Sequence, residues 1–390
     1  MISVSEALDA LFALSSPLDI ETIPLSQSAG RVLAVPAVAE RDQPPFSASA
    51  MDGHAVNSTG AVTGATYQII GESAAGHGYN ASVPTGACVR IFTGAPVPAG
   101  CDRIIIQEDV DRSEDTITLK DNLDPNFYVR AKGFDFACGQ TLDAPKLLGP
   151  NDVALLAAMN VPQVQVYRKP TVALISTGDE LVMPGETPNP DQIIVSNTFG
   201  LAAMLRDIGA EVRVLPIARD HLQSLEQAFS LAEGADVVVT IGGASVGDHD
   251  LVAEAAEKYG VQRQFYKVAM RPGKPLMAGR ICDAMMIGLP GNPVSAMVCG
   301  KIFLTPVIRA LQGLPKEPAP RLQAKLSHPI AQNGGREHYM RAVYENGMVR
   351  VFKRQDSALL SVLAASNALI VRAPHAPALE VDTEVDVILL

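Results

Sequence analysis

Tryptophan is absent from this 390-residue chain, and aromatic residues of all kinds make up only 5% of it. A surface that binds nucleic acid by base stacking needs aromatic faces. The net charge of −11 also lacks the basic excess of a general nucleic-acid binder. No nucleic-acid partner is expected. Cys-x-x-Cys spacing is missing too: Cys88, Cys101, Cys138, Cys282 and Cys299 are scattered and odd in number. They read as reduced thiols in a cytoplasmic protein. No apolar run reaches the ~18 uninterrupted residues of a membrane span. The N-terminal stretch MISVSEALDALFALSSPLDI lacks a basic region ahead of its apolar part, so neither a membrane segment nor a signal peptide is expected. Several catalytic signatures are absent as well. GAVTGAT at Gly60 lacks the G-K-[ST] ending of a phosphate loop, and no G-x-G-x-x-G follows a predicted strand. There is no G-x-S-x-G hydrolase elbow. The seven histidines show no zinc spacing.

What is present is globular composition, 47% hydrophobic and 19% charged, in a chain long enough for two to four domains. Ser3 and Glu6 form a capping-box pattern ahead of Ala7, Leu8, Leu11, Phe12 and Leu14, which predicts an N-terminal amphipathic helix. Texture divides the chain into four parts. Residues 1–40 and 140–168 read as one helical and extended unit, the second piece opening a helix at Pro150 and Asp152. Residues 41–139 are short β-like runs punctuated by Gly and Pro, a small β domain. Residues 169–317 alternate strands (172–175, 212–215, 237–241, 265–269, 285–289) with helices (197–207, 222–232, 251–259, 294–304). That pattern predicts a doubly wound parallel sheet covered on both faces. After the Pro-rich LPKEPAPRL, residues 318–390 read as a β barrel or sandwich.

In a doubly wound sheet, ligands bind outside the carboxyl ends of the strands. Three segments leave such ends in one style. One carries Ser176, Thr177, Gly178, Asp179 and Glu180. A second carries Gly242, Gly243, Ser245, Gly247, Asp248 and Asp250. The third carries Pro290, Gly291, Asn292, Pro293 and Ser295. Glycine lets the backbone approach a ligand, successive amides cradle phosphate oxygens, and helix starts add a favourable dipole. Asp179, Glu180, Asp248 and Asp250 on these loops, and Asp220 after another strand, would repel phosphate unless a cation intervened. Mg²⁺ takes one or two carboxylates plus substrate phosphates. Helix capping is the alternative role for Asp220 and Asp250. The basic counterpart is YKVAMRPGKPLMAG, where Lys267, Arg271 and Lys274 form a candidate anion clamp. Elsewhere, PPFSASAMDGHAV offers Asp52 in a turn before Gly53, RIFTGAPVPAGCDRIIIQED offers Thr93, and GREHYMRA offers Arg336 and Arg341.

The stretches SAMDGHAV, RIFTGAPVPAGCDRIIIQED, ISTGDEL, GGASVGDHD, RPGKP, GLPGNPVSA and the region around REHYMRA occur in an order, and over a length, that resembles the MoeA family. These are molybdopterin molybdenumtransferases, and they include the E domain of gephyrin. The resemblance implies a multidomain α/β protein whose central domain is of the molybdopterin-binding type. It implies insertion of molybdate into adenylylated molybdopterin with release of AMP, assisted by Mg²⁺. It also implies an elongated homodimer with a site shared between subunits, and a molybdopterin adenylyltransferase as upstream partner. Asp52 and Thr93 match the family's S-A-M-D-G and T-G-A-P motifs. Glu180, Asp220 and Asp250 match its acidic positions, and Lys267 and Lys274 its basic ones. Pro290, Pro293 and Ser295 match L-P-G-N-P-V-S, and Arg341 and Ser361 match barrel positions near molybdate.

Catalytic roles are therefore expected for Asp52, Asp220, Asp250, Lys267 and Lys274, and metal contacts for Glu180, Asp220 and Asp250. Substrate contacts are expected from Thr93, Arg271, Arg341, Ser361 and the three glycine-bearing loops. Two positions depart from the pattern. Arg271 stands where lysine is common, and His54 where tyrosine is common, which suggests local pH sensitivity near Asp52. Two other readings are an enzyme that adenylylates molybdopterin from MgATP and a gephyrin-like scaffold without catalysis.

Overall fold

The computed structural model describes residues 1–242 and 262–390. The predicted helix 251–259, and Gly243, Ser245, Gly247, Asp248 and Asp250, lie outside the described residues. At the centre is a six-stranded sheet in the order Glu211–Val214, Thr171–Ser176, Val237–Ile241, Ala284–Leu289, Met277–Ile281, Gln262–Tyr266. The first four strands are parallel. Along them, alternate side chains enter two different cores. Val172, Leu174, Val237 and Val239 pack with helices Asn197–Asp207 and Pro293–Cys299. Ala173, Ile175 and Val238 pack with helix Leu222–Leu231 through Leu225, Ala228 and Phe229. Both faces are covered, so the strands carry near-continuous apolar runs.

The sheet also gains an antiparallel edge that periodicity did not resolve. Met277–Ile281 turns back on Ala284–Leu289 through a tight hairpin at Cys282, whose φ of 49° is the left-handed conformation such turns require. No Asn-Gly marks it. The helix expected over 294–304 runs from Pro293 to Cys299, passes through a π-helical turn at Gly300–Leu304 and continues as Thr305–Leu311. Pro293–Leu311 is the one helix among the described residues long and apolar enough to cross a membrane, and 78% of its apolar window is buried inside the fold.

Strands Ile20–Pro24, Val32–Leu33, Lys146–Leu147 and Gln163–Tyr167 form one four-stranded sheet, so chain segments more than a hundred residues apart share a core around Leu33, Leu156 and Val166. Helix Val4–Leu14 goes elsewhere. Its capping box is present, but Val4, Leu8, Leu11 and Phe12 pack into the α/β core. Lys316 Nζ donates to the carbonyls of Phe12 and Ser15 at its end (2.7 and 2.8 Å).

Between these segments lies a six-stranded β sheet, with Gly53–Val56 held between Ala87–Ile91 and Arg103–Ile106. A Cβ on Gly53 would stand 2.1 Å from the Ile105 carbonyl oxygen, so the neighbouring strand leaves room only for glycine after Asp52. The C-terminal strands Leu322–Leu326, Glu337–Glu345, Met348–Val351, Ala368–Arg372 and Glu384–Leu389 close into a five-stranded barrel, because Glu337–Glu345 pairs with Ala368–Arg372 as well as with Met348–Val351.

Candidate functional site

The ends of three parallel strands converge. Thr177 N–H donates to Ile241 O (3.0 Å), Gly178 N–H to Ala218 O (3.1 Å), and Gly242 N–H to Leu289 O (3.1 Å). Gly242 sits at φ +96°, and a Cβ there would approach Thr177 O to 2.8 Å. A Cβ on Gly291 would lie 3.6 Å from Gly242 Cα. Asn197 Nδ2 donates to Gly291 O at 2.7 Å, so the start of one helix steadies the loop that opens the next. Asn197 is thus a loop tie as well as the first residue of its helix. Ser176 shares a short hydroxyl–hydroxyl bond with Thr198. Thr177 Oγ1 is buried with no hydrogen-bond partner among the described residues. Pro293 occupies the first turn of its helix behind Asn292, and Ser295 is buried just inside.

Carboxylates rim these loops. Asp179, Glu180 and Asp220 are exposed. Helix Leu222–Leu231 is capped by His221, whose Nδ1 accepts from Ser224 N–H (3.2 Å); the capping reading of Asp220 is therefore set aside. Asp220 instead donates its backbone N–H to Asp179 Oδ1 (3.1 Å), and its own carboxylate stays free among the described residues. Glu180 folds back over Gly178, where a Cβ would meet its Oε2 at 2.4 Å. No group of three His, Cys, Asp or Glu side chains converges on one point among the described residues.

Arg219 was not anticipated. Its Nη1 donates to the carbonyls of Gly178, Asp179 and Leu181 (3.3, 3.0 and 3.0 Å). Its only mark in the sequence is its place beside Asp220.

The basic stretch joins the α/β domain to the barrel. Met270–Arg271 pairs in parallel with Glu337 and His338. Arg271 and Lys274 are exposed, and Lys267 is half-buried at φ 73° with Nζ 4.9 Å from the Tyr266 ring centroid. Gly273 packs so tightly on Cys299 that a Cβ would stand 2.4 Å from its Sγ. From the barrel, Arg341 is fully buried. Its Nε donates to Gln355 Oε1 (3.1 Å) and its Nη1 to Asp356 O (2.7 Å), while Nη2 has no partner among the described residues. Next in the chain, Ser357 O accepts Val294 N–H (3.1 Å), which brings this segment to the helix start beside Ser295. Ser361 is exposed on the short helix Leu360–Ala364.

Asp52 belongs to a separate cluster. Its Oδ1 accepts both the backbone N–H (2.7 Å) and the hydroxyl (2.8 Å) of Thr93. These bonds hold its carboxyl below the ordinary range, the backbone one most strongly. Oδ2 has no partner among the described residues. Arg90 Nη1 supports the turn through Gly53 O (3.0 Å). His54 does not give the pH sensitivity suggested for it: the ring is 2% exposed, and burial, helped by Arg90 and Arg112, pushes its pKa down to about 4. The packing of a strand interior overrides its nearness to Asp52 in sequence.

Comparison with known proteins covers nearly the whole chain. Residues 2–160 match the MoeA N-terminal region (domain I and II), 173–310 a probable molybdopterin binding domain, and 323–390 the MoeA C-terminal region (domain IV). The chain is 36% identical over 382 residues to the molybdopterin molybdenumtransferase of Haemophilus influenzae, covering 95% of this chain and 94% of that protein. The chain belongs to the MoeA family.

A MoeA relative from Mycobacterium tuberculosis, molybdopterin molybdenumtransferase 2, is 34% identical over 366 residues, 90% of each chain. The crystal structure of the molybdopterin biosynthesis MoeA protein from Pyrococcus horikoshii superposes with a TM-score of 0.87 at 27% identity over the full length of both chains. The MoeA fold thus accounts for the central α/β domain, the small β domain and the closed barrel together.

Proposed function

We propose that this protein inserts molybdate into adenylylated molybdopterin and releases AMP, the closing step of molybdenum-cofactor synthesis. The observation that carries this reading is the meeting of the 177–180 loop, Gly242 and the 290–295 loop. The barrel reaches the same place through Ser357, whose carbonyl accepts Val294 N–H. Backbone amides and helix starts there suit a pyrophosphate. Lys267, Arg271, Lys274, Ser295, Ser361 and the free Nη2 of Arg341 suit the molybdate dianion. Asp52, ionised and oriented by Thr93 with Oδ2 free, positions or deprotonates the water that attacks the phosphoanhydride.

Exposed carboxylate oxygens at Asp179, Glu180 and Asp220 are hard donors of the kind Mg²⁺ prefers, and one or two of them suffice beside substrate phosphates. Bound through Glu180, Asp220 and Asp250, Mg²⁺ would neutralise charge on the pyrophosphate. Asp52 finds its partners within its own domain, at Thr93 and Gln107. We therefore read the active form as a cytoplasmic homodimer in which Asp52 of one copy serves the loops of the other. A molybdopterin adenylyltransferase supplies the substrate.

The experiment is incubation with adenylylated molybdopterin, Mg²⁺ and molybdate, following AMP and active cofactor together. Both should appear; AMP without cofactor, or neither, overturns the reading. Asp250→Asn should slow AMP release, and an unchanged rate would remove that residue from the metal site.

A further inference from the structure

We propose that Arg219 is a positioning residue that shapes the phosphate-facing surface of the 178–181 loop, an inference that rests on the proposed reaction. Its backbone is fixed first. Arg219 N–H donates to Ser224 Oγ (2.9 Å), and its carbonyl accepts His221 N–H (2.7 Å), so the residue is anchored at the start of helix Leu222–Leu231. From there Nη1 crosses to the loop and gathers the carbonyls of Gly178, Asp179 and Leu181. The remaining carbonyl, that of Glu180, accepts Ile193 N–H (2.8 Å). All four carbonyls of the loop are thereby occupied.

The consequence follows from peptide geometry. In a trans peptide the C=O and the following N–H point in opposite directions. Turning the Gly178 and Asp179 carbonyls toward Arg219 turns the amides of Asp179 and Glu180 away from it. Neither amide donates to another group among the described residues. Two adjacent free amides facing one way are an anion-receiving surface, and the Gly178 and Asp179 carbonyl oxygens are turned to the opposite side, toward Arg219. All three bonds come from one nitrogen at the tip of a rigid planar guanidinium; a lysine ammonium can donate to the same carbonyls but sits on a shorter, freely rotating tip that fixes them less firmly. Arg219 touches neither substrate nor reacting atoms; it acts through the loop.

The test uses the full-length protein with Arg219→Ala and Arg219→Lys. The expected result is a rise in KM for adenylylated molybdopterin, and in Kd for AMP, of at least about tenfold in Arg219→Ala, the loss of one to two hydrogen bonds to a charged group. The molybdate concentration giving half-maximal cofactor formation should stay put, and Arg219→Lys should recover only part of the loss. Guanidinium ion at millimolar concentration should lower KM for Arg219→Ala and leave wild type alone. A purely structural residue would lower melting temperature and the response to both substrates alike, without rescue; that outcome overturns the proposal, as does an unchanged KM. If wild type itself releases no AMP, the reaction has been misread. If wild type releases AMP and Arg219→Ala matches it, only the role of Arg219 falls.

Discussion

His54 shows how far a single residue's chemistry depends on what encloses it. Both ring nitrogens are buried without partners among the described residues, and its pKa is near 4, against about 6.5 in an unfolded chain. Below about 6.5 the unfolded state takes up a proton that the folded state refuses. Stability is therefore undiminished above that pH and falls as pH drops toward 4, by up to about 1.4 kcal/mol per pH unit for one such group. His338 is pushed to about 4 as well, chiefly by burial and then by Arg271, Arg341, Arg336 and Arg372, and adds in the same direction. Denaturant melts at a series of pH values should show this loss, and His54→Phe should remove one proton's share of the slope; an unchanged slope would contradict the burial argument. The Asp52–Thr93 pair acts in the same direction over a more acidic range: bonds from Thr93 lower the folded carboxyl's pKa, so its stabilisation is present above the ordinary carboxylate range and lost as pH falls below it. Removing the hydroxyl in Thr93→Val should raise the Asp52 carboxyl pKa and move the acid limb of the rate profile to higher pH. Asp52 and Thr93 both stand out as residues in the sequence, while the bond between them, spanning 41 positions, does not.

At the scale of elements, helix starts and glycine turns carry the candidate site. Gly242 combines φ +96° with a neighbouring carbonyl where a Cβ would go. Gly242→Ala should therefore cost ~2 kcal/mol in stability through backbone strain and displace the 177–180 loop; a variant with wild-type melting and wild-type KM would show that the loops do not depend on each other. Helix Pro150–Ala158 offers a cleaner control far from the chemistry. Asp152 accepts Gly149 N–H (2.9 Å) and pairs with Lys146 (2.9 Å), so Asp152→Ala should cost about 1 kcal/mol in melting experiments with turnover unchanged. Glycine-bearing strand ends are legible in sequence because strand, glycine and helix follow one another locally. The Met277–Ile281 strand and the π turn at Gly300–Leu304 are not, since no short-range signal distinguishes them from a buried run and a plain helix.

For the whole molecule, the barrel is tied to the α/β domain by pairing of Met270–Arg271 with Glu337 and His338 and by Val294 N–H on Ser357 O. Asp52 has no comparable tie to these loops within one chain among the described residues, where it bonds to Thr93 and Gln107. If a second copy completes the site, Asp52→Asn and Asp220→Asn should each be nearly inactive alone. Mixed and re-associated, they should regain about a quarter of wild-type activity, because half the dimers then carry one intact composite site. No recovery, in a mixture shown by sedimentation to contain heterodimers, would place both residues in one subunit's site or separate their roles.

Composition, motif order and strand–helix alternation determine by themselves that this is an acidic multidomain α/β chain of the MoeA family, and they single out glycine loops, carboxylates and a basic cluster as the candidate site. Those are local properties: hydrophobic period, turn residues and motif spacing act over a few positions. Tertiary structure alone decides that the N-terminal helix belongs to the α/β core, that His221 rather than Asp220 caps its helix, that His54 is silent near neutrality, and that Arg219 turns a loop of carbonyls inward. Each of those depends on groups brought together from distant positions by burial and hydrogen-bond satisfaction, for which one-dimensional spacing carries no signal.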